Sequence, residues 1–181
     1  MFPLAADLTD RDVLVIGLGR VGVHKAAQLI EAGARVHVIT REVLGEVPEG
    51  LASLERRPYR RGDLAGHLLV VSAAAHEATN DEIVAEARER GIWLNVVDDP
   101  PRCSFYFTSV YRDGDVVVSV SSSGASPSLA QWIRRRIEQL LPPGLGAVAT
   151  ALREERRALH AAGESTERDW SRRVDDLVAE L

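Results

Sequence analysis

Residues 13–22 read VLVIGLGRVG, and this stretch decides the fold of the chain. Four apolar residues run without a break into a series of glycines, Gly17, Gly19 and Gly22, as they would at the end of a strand buried on both faces. Glycines at this spacing allow a tight turn, a close approach of the backbone to a pyrophosphate, and close packing of a helix on a strand. The pattern predicts a dinucleotide-binding turn between a strand and a helix, with a purely structural turn as the alternative.

The residues after this turn alternate between helical and strand-like patterns. Apolar residues recur at helical spacing over residues 21–32, and Gly33 ends that helix. Further strands are predicted over residues 35–39, 54–57, 68–72 and 93–97, with a helix over 80–90 that Thr79 or Asn80 caps and Gly91 ends. Strands that alternate with helices indicate a parallel sheet covered on both sides.

The pattern changes after Pro100 and Pro101. Residues 105–111 and 116–121 are predicted to be strands joined by a hairpin-type turn at 112–115. A helix follows, with Ser126 as its cap and Pro127 in its first position, and continues to about Leu141. The rest is helical by periodicity, with a break near 163–165.

The predicted fold class is therefore α/β. It comprises a Rossmann-type doubly wound parallel sheet in residues 1–100, a β-hairpin and helical region in 101–144, and a C-terminal helical region in 145–181.

Composition narrows the classes of protein to which the chain could belong. The net charge of −5 argues against a nucleic-acid-binding protein, and no apolar run approaches the length of about 20 residues that a membrane helix needs. The single cysteine, Cys103, is typical of a reducing compartment, and the first residues lack the basic start of a signal peptide. We expect a soluble cytoplasmic protein that interacts with neither nucleic acid nor membrane.

The end of the second strand bears on the choice of cofactor. The acidic residue that usually binds the ribose there is absent, and the chain has Thr40, Arg41 and Glu42 instead. Thr40 could bind the ribose hydroxyls, whereas Glu42 lies slightly later than the usual acidic residue. Arg41 could stack on adenine or accept a 2′-phosphate. We predict NAD as the cofactor and leave NADP open. A solvated arginine at a strand end is the alternative for Arg41.

A second group of polar residues follows the fifth strand, at residues 95–101. Open α/β sheets bind their ligands at the carboxyl ends of their strands, so a carboxylate here could act as a general base in a hydride-transfer reaction. Asp98 and Asp99 are the candidates, and a polar turn leading into two prolines is the alternative.

A third group is the serine-rich segment of residues 121–127. Small residues, hydroxyls and a helix N-terminus can form an anion-binding rim, although an ordinary capped helix start explains them as well. Arginines at positions 134–136 follow on the same helix. The five histidines show no metal-binding spacing and Cys103 has no evident base, so we expect no metal site and no thiol nucleophile.

Together these motifs resemble the precorrin-2 dehydrogenase family, which includes stand-alone enzymes, a bifunctional dehydrogenase–chelatase and the N-terminal module of fused sirohaem synthases. The resemblance runs from Phe2 to about Leu145. It depends mainly on the glycine turn leading to Lys25, the stretch 95–98 leading to Ser104, and the segment 120–130 with its continuation to Pro142.

The resemblance implies NAD-dependent oxidation of precorrin-2 to sirohydrochlorin, with Asp98 rather than Asp99 as the catalytic base. It implies a substrate-facing loop in which Ser122 occupies a position that can be phosphorylated in the fused enzyme. It also implies a homodimer formed through the region after Pro101. The implied cofactor residues are Gly17, Gly19, Arg20, Val21, Arg41, Glu42, Ser72 and Ala73. The glycine spacing and the end of the second strand add Gly22 and Thr40 to this set. The implied substrate residues are Ser121, Ser122, Ser123, Gly124, Ser126 and Arg134.

The chain departs from the family pattern in its turn. The family often has three consecutive glycines where this chain has Gly17-Leu18-Gly19, and usually alanine where Gly22 lies. Both changes keep the turn small, so we expect cofactor binding to persist. Three other functions stay open at this point: an additional sirohydrochlorin ferrochelatase activity, a non-catalytic NAD-sensing module, and a haem-pathway chaperone or chelatase without redox activity.

Overall fold

A computed structural model describes residues 2–181, which form two compact units. The first unit reaches Tyr106, and the second extends from Phe107 to Leu181. The functional division of the chain at residues 100 and 144 stays a prediction.

The first unit contains five strands and two long helices. In chain order they are β1 Asp12–Leu18, α1 Arg20–Glu31, β2 Arg35–Val43, β3 Ser53–Arg56, β4 Leu69–Ser72, α2 Glu77–Arg90 and β5 Trp93–Val96, followed by a short 3-10 turn, Pro100–Arg102. The strands lie in the order β3-β2-β1-β4-β5 and every neighbouring pair is parallel. This confirms the predicted α/β fold with a Rossmann-type sheet. The strand order reverses between β1 and β4, which is where such sheets bind their ligands.

The two central strands of this sheet have the most continuous burial. Residues 13–16 of β1 and all four residues of β4 are buried, and Val13 and Val15 have no exposed surface. Their side chains therefore pack on both faces of the sheet, which explains why these strands are apolar runs rather than alternating patterns. The carboxyl ends of β1 and β4 are thus held rigidly side by side.

The start of α2 differs from the sequence prediction. The helix begins at Glu77 with His76 as its N-cap, and no side chain caps it, so the prediction of Thr79 or Asn80 as the cap is wrong. The amide of Asn80 is used elsewhere: it accepts a hydrogen bond from Ser72 at 2.6 Å and donates one to the carbonyl of Ala74. The Asn80 side chain therefore binds Ser72 of β4 and the Ala74 carbonyl, and it does not cap the helix. The predicted end of α2 at Gly91 is confirmed by its left-handed conformation.

The second unit consists of a hairpin and three helices. Its elements are β6 Ser109–Asp113, β7 Val116–Val120, α3 Pro127–Glu138, α4 Leu145–Ala161 and α5 Ser171–Ala179. The first strand of the hairpin starts at Ser109 rather than residue 105, and α3 ends at Glu138 rather than near Leu141. Ser126 caps α3 as predicted, because its hydroxyl accepts a hydrogen bond from the Leu129 N–H at 3.2 Å.

The hairpin also caps the start of α4. The carboxylate of Asp113 accepts hydrogen bonds from the N–H groups of Gly144 and Leu145, each at 2.8 Å. A Cβ on Gly146 would lie 2.7 Å from the Asp113 carbonyl oxygen, so the glycine allows this close approach. The end of β6 and the start of α4 are therefore fixed to each other within the second unit.

Candidate dinucleotide and catalytic site

The turn between β1 and α1 is packed so closely that two of its glycines have no room for a side chain. Gly17 has a φ of +93°, and a Cβ there would lie 2.7 Å from the carbonyl oxygen of Ala73, just after β4. A Cβ on Gly22 would lie 2.0 Å from the Gly17 carbonyl oxygen, so the alanine common in the family would require this turn to shift. At Gly19, by contrast, a Cβ would meet nothing within 4 Å. One side of the turn is packed and the other is open.

The open side carries the N-terminus of α1. Gly19 is the N-cap, so no side chain satisfies the first N–H groups, and the first turn contains no acidic residue. Arg20 and Val21 are both exposed. Unsatisfied N–H groups and the positive end of the helix dipole form a site for a phosphate. The residues present therefore fit the pyrophosphate of a dinucleotide.

Thr40 has a different role from the expected ribose contact. It is 5% exposed, its hydroxyl donates a hydrogen bond to the Glu42 carbonyl at 2.5 Å, and its oxygen accepts one from the Leu18 N–H at 3.1 Å. A hydroxyl that is buried and used in this way joins the end of β2 to the glycine turn. Thr40 therefore positions the turn instead of presenting a group to the cofactor.

Arg41 and Glu42 are the exposed residues near the carboxyl end of β2. Both are exposed, and neither side chain has a hydrogen bond or ion pair with the described residues. Because the strand continues to Val43, they lie at the carboxyl end of the sheet, next to the turn that Thr40 anchors. The adenosine ribose of a cofactor on this turn would therefore meet one cation and one carboxylate.

Ser72 ends β4 and has little surface to offer. It is 1% exposed and its hydroxyl is used by Asn80, so the serine fixes the start of α2. Ala73 is partly exposed, and its N–H donates a hydrogen bond to the carbonyl of Ile16 at 2.8 Å. Of these two predicted residues, only Ala73 is partly exposed at this edge of the sheet. Its carbonyl oxygen also lies against Gly17.

Asp98 and Asp99 differ in what their carboxylates do. The Asp99 carboxylate lies 3.3 Å from Nε of Arg102 in an ion pair. Asp98 is exposed, has no hydrogen bond or ion pair with the described residues, and has a positive φ of 60°. This left-handed conformation is uncommon for a residue with a side chain, although aspartate and asparagine tolerate it better than most. The Asp98 carboxylate is therefore exposed to solvent, whereas the Asp99 carboxylate is engaged in an ion pair with Arg102.

Cys103 organises the turn that carries Asp98. Its sulfur accepts a hydrogen bond from the Val96 N–H at 3.2 Å, and its thiol lies 3.2 Å and 3.3 Å from the carbonyls of Val96 and Asp99. Burial raises the pKa of the Cys103 thiol, which keeps it protonated as a donor. Sequence reasoning identified Cys103 only as a non-nucleophile and missed this role, and its position five residues after Asp98 carried no recognisable signal.

The serine segment lies in the second unit, and most of its hydroxyls bind the segment itself. The Ser122 hydroxyl donates to the Ser126 carbonyl at 2.9 Å and accepts from the Ser126 N–H at 3.0 Å. Ser121 accepts from the Ser123 N–H at 3.1 Å, and Ser126 caps α3. These bonds hold a compact loop in which Ser123 and Gly124 have positive φ values of 53° and 83°. Ser123 and Gly124 are exposed, and the Ser123 hydroxyl makes no hydrogen bond with the described residues.

Arg134 has a partner within its own helix. It forms an ion pair with Glu138 one turn later, and its side chain is only 21% exposed. A substrate carboxylate would have to displace Glu138, so the structure gives Arg134 a helix-stabilising role in place of the expected open cation. Arg136 stacks on Trp132 with its guanidinium carbon 5.4 Å from the ring centre, and Arg135 is exposed.

Residues 2–181 contain no group of three or more histidine, cysteine, aspartate or glutamate side chains that could hold a metal ion. No helix in the same part of the chain combines the length and apolar character that crossing a membrane requires.

Comparison with known families gives matches over most of the chain. Residues 4–109 match the family described as "Putative NAD(P)-binding", and residues 113–140 match the family described as "Sirohaem biosynthesis protein central". The first match includes the glycine turn and Asp98, and the second includes the serine segment. The two families therefore divide the chain between β5 and β7.

The curated relatives are longer than this chain. Siroheme synthase of Tolumonas auensis is 39% identical over 159 residues, covering 87% of this chain and 34% of the relative. Siroheme synthase of Nitrosomonas eutropha is 33% identical, covering 99% of this chain and 40% of the relative. The chain therefore spans between a third and two fifths of these proteins.

A solved structure shares the fold. The structure titled "SirC, precorrin-2 dehydrogenase" superposes with a TM-score of 0.70 over 99% of this chain and 88% of that chain, at 21% sequence identity. At this level of identity the likeness supports the fold of the chain.

Proposed function

The chain belongs to the precorrin-2 dehydrogenase family, and on that premise we propose that it oxidises precorrin-2 to sirohydrochlorin with NAD as the hydride acceptor. The observation that carries the proposal is the glycine turn, whose packed side backs onto Ala73 and whose open side presents the uncapped N-terminus of α1. The same edge of the sheet carries Asp98 after β5. A dinucleotide site after β1 and an unpaired carboxylate after β5 thus lie at the same edge of one sheet, with β4 between the two strands.

The proposed reaction removes two hydrogens from the macrocycle, one as a hydride and one as a proton. A C–H bond of precorrin-2 breaks with its electron pair, and the hydride passes to the nicotinamide when the cofactor is bound. A proton leaves the neighbouring position of the macrocycle, so that a new double bond forms and conjugation extends. Asp98 is the proposed acceptor of that proton, because its carboxylate is exposed and free of ion pairs, whereas Asp99 is held by Arg102.

The remaining proposed cofactor residues follow from the geometry of the turn. Gly17, Gly19, Arg20, Val21 and Gly22 would bind the pyrophosphate through backbone N–H groups, and Thr40 would keep the turn in place. Glu42 would accept hydrogen bonds from ribose hydroxyls, which favours NAD, since a carboxylate repels a 2′-phosphate. Arg41 beside it is the side chain that would meet the 2′-phosphate of NADP.

We further propose that the second unit holds the acidic arms of the substrate and forms a homodimer. Ser123 and Gly124 are the open part of the serine loop for substrate, with Ser121, Ser122 and Ser126 shaping it. For the dimer, the supporting observation is exposed apolar surface: Leu129 is 50% exposed and Trp132 is 58% exposed. Sedimentation of Trp132→Glu tests this, since a packed dimer should dissociate and an unaffected sedimentation rate contradicts it.

A cytoplasmic location completes the proposal. It is supported by the single cysteine, whose thiol is engaged in hydrogen bonds with the backbone.

The decisive experiment supplies precorrin-2 and NAD⁺ to the purified protein without oxygen. We expect NADH absorbance to rise together with the spectrum of sirohydrochlorin, and neither to appear without NAD⁺. Binding of NAD⁺ without turnover would contradict the enzyme and indicate a sensing module. Ferrous iron added afterwards reveals any chelatase activity of the same chain through the spectrum of sirohaem.

A further inference from the structure

Arg102 lies in the short 3-10 turn that directly follows residues 97–99, which we call the Asp98 turn, and its guanidinium pairs with three carboxylates. Its Nη2 lies 2.8 Å from the carboxylate of Asp81 and 3.6 Å from that of Glu77, both in α2. Its Nε lies 3.3 Å from the carboxylate of Asp99. The Arg102 side chain is only 25% exposed, so most of it is packed against the protein. One cation therefore joins the segment after β5 to the start of α2.

The hydrogen bonds of the sheet reach as far as Val97. The N–H of Val97 donates a hydrogen bond to the Ser72 carbonyl of β4 at 2.9 Å, and Asp98 is the next residue along the chain. Beyond this point the Cys103 sulfur binds backbone groups of the same segment, and these bonds shape the turn on its own strand. Arg102 connects the turn to a different element, the helix α2.

The start of α2 is in turn fixed to the edge of the sheet where the cofactor is proposed to bind. Asn80, next to Asp81, accepts a hydrogen bond from the Ser72 hydroxyl at 2.6 Å and donates one to the Ala74 carbonyl at 3.3 Å. Ala73 lies between those two residues and is the residue against which the glycine turn packs. Two neighbouring side chains of α2 thus hold the segment of the proposed base and the proposed cofactor edge.

We propose that Arg102 is a positioning residue for the dehydrogenase reaction, because it ties the Asp98 turn to α2 and so fixes the Asp98 carboxylate relative to the cofactor site. This inference rests on the proposed function. A hydride and a proton leave neighbouring positions of the macrocycle, so the hydride acceptor and the base must be held at a set separation. A misplacement of about 1 Å can lower a rate by about 100-fold, even when the groups that bind the cofactor are unchanged.

The charge of Arg102 gives it a second, measurable effect on the same base. The carboxylates of Glu77, Asp81 and Asp99 surround it, and Asp98 adjoins the last of these along the chain. Without the cation, the repulsion of these carboxylates for a further negative charge is no longer offset. A general base must be ionised to accept a proton. Loss of Arg102 should therefore make kcat fall at a higher pH on the acid side of its profile.

The test begins with two substitutions of Arg102 in the precorrin-2 assay, each measured over a range of pH. Arg102→Gln should lower kcat about tenfold and leave KM for NAD⁺ within about twofold, since the glycine turn is unchanged. The pH at which kcat is half-maximal on the acid side should rise by about 0.5 pH unit. Arg102→Lys keeps the charge but loses the planar set of donors, so it should restore part of kcat and leave that pH unmoved.

Two further variants separate the tie from the charge. Asp81→Asn breaks the same tie but removes a negative charge, so kcat should fall while the pH of half-maximal kcat moves down instead of up. Arg61→Gln is the matched control, because it removes an exposed arginine that pairs with Glu89 of α2. This variant should change neither kcat nor the pH profile.

The results that would overturn the inference differ from those that would overturn the proposed function. Unchanged kcat in Arg102→Gln, with turnover in the parent chain, would contradict the role of Arg102 and leave the proposed function intact. A lower kcat with an unmoved pH profile in Arg102→Gln, or an equal loss in Arg61→Gln, would mean a general structural effect and would also contradict it. Absence of turnover in the parent chain would overturn both proposals. Unfolding midpoints confirm that each variant is folded at the assay temperature.

Discussion

Gly22 of helix α1 lies directly against Gly17 of the preceding strand: a Cβ on Gly22 would stand 2.0 Å from the Gly17 carbonyl oxygen. That distance is far inside van der Waals contact, so the backbone of the turn must move to admit even a methyl group. We expect Gly22→Ala to weaken NAD⁺ binding at least tenfold and to lower the thermal unfolding midpoint, because overpacking costs about 1–3 kcal/mol. Calorimetry measures both quantities.

Gly19→Ala is the matched control for this substitution. A Cβ at Gly19 meets nothing within 4 Å, and its φ of −78° suits any residue, so the unfolding midpoint should stay near that of the parent chain. NAD⁺ affinity should still fall, because the new methyl occupies the open side where the pyrophosphate is proposed to bind. Equal stability of the Gly22 and Gly19 variants would contradict the close packing of this turn.

Asp98→Asn tests the proposed base. Asparagine keeps the shape of aspartate and tolerates the left-handed conformation, so the turn should remain intact. We expect turnover of precorrin-2 to fall by about 100-fold or more, the usual contribution of a general base, with NAD⁺ affinity little changed. Asp99→Asn breaks the ion pair with Arg102 and should alter turnover only a few fold. Comparable losses in the two variants would remove Asp98 from the chemistry.

The choice between NAD and NADP can be tested at the end of β2. We expect NAD⁺ to bind more tightly than NADP⁺, and Glu42→Gln to narrow the difference by removing a charge that repels the 2′-phosphate. Arg41→Ala should widen the difference by about tenfold, since it removes the exposed cation beside Glu42. The ratio of the two dissociation constants is the measurement. An unchanged ratio in both variants would place the ribose elsewhere.

Ser122 should stabilise the serine loop through its two hydrogen bonds to Ser126. Ser122→Ala leaves both backbone groups of Ser126 without this partner, and we expect unfolding to become easier by about 1–2 kcal/mol. Ser123→Ala is the comparison within the same loop, because the Ser123 hydroxyl has no bond to the described residues, and the change should be within about 0.5 kcal/mol. Denaturant titration distinguishes these outcomes, and a larger loss for Ser123→Ala would refute the assignment.

Glu86 should make the stability of the first unit depend on pH in the acid range. It is 0% exposed, and accepts hydrogen bonds from the Tyr59 hydroxyl at 2.5 Å, the Gly62 N–H at 2.8 Å and Nε of Arg90 at 2.7 Å. Burial by itself raises the pKa of this carboxyl, but the three donors outweigh it and the pKa is lowered from its ordinary 4.5.

A lowered pKa means that the folded state binds protons less readily than the unfolded state. The stabilisation is therefore fully present above pH 4.5 and is lost as the pH falls through the folded-state pKa of Glu86. Glu86→Gln should lower the free energy of unfolding at neutral pH and make it depend less on pH below 4.5. Glu82→Gln, a change at an exposed position on the same helix, should leave that pH dependence unchanged. If Glu86→Gln also leaves it unchanged, other carboxylates cause the loss of stability in acid.

The sequence predicted the parts of the fold that local patterns encode. The apolar run of β1, the spacing of α1 and the glycine that ends α2 each need only neighbours along the chain. The start of α2 was missed because Asn80 binds Ser72 of β4, eight residues away, instead of capping the helix. Propensity describes the local choice of a side chain, and a tertiary hydrogen bond overrides it.

The same limit applies to the site. The glycine turn could be predicted because the spacing of its residues is itself the mechanism. The role of Thr40 could not, since it depends on the Leu18 N–H of a neighbouring strand, 22 residues away. The sequence also could not show whether Arg134 pairs with Glu138 or is free to bind a substrate carboxylate, because the spacing of four residues on a helix allows both.

The hydrogen-bonded thiol of Cys103 has a practical consequence for handling the protein. It is the only sulfhydryl in the chain, it is partly exposed, and its sulfur forms hydrogen bonds with the backbone of the loop that presents Asp98. Because a thiol reacts as its thiolate and the pKa of this one is raised, we expect a maleimide dye to label Cys103 more slowly than an ordinary thiol at the same pH. Labelling would also break the hydrogen bonds of the sulfur, and so the labelled chain should hold the Asp98 turn less firmly.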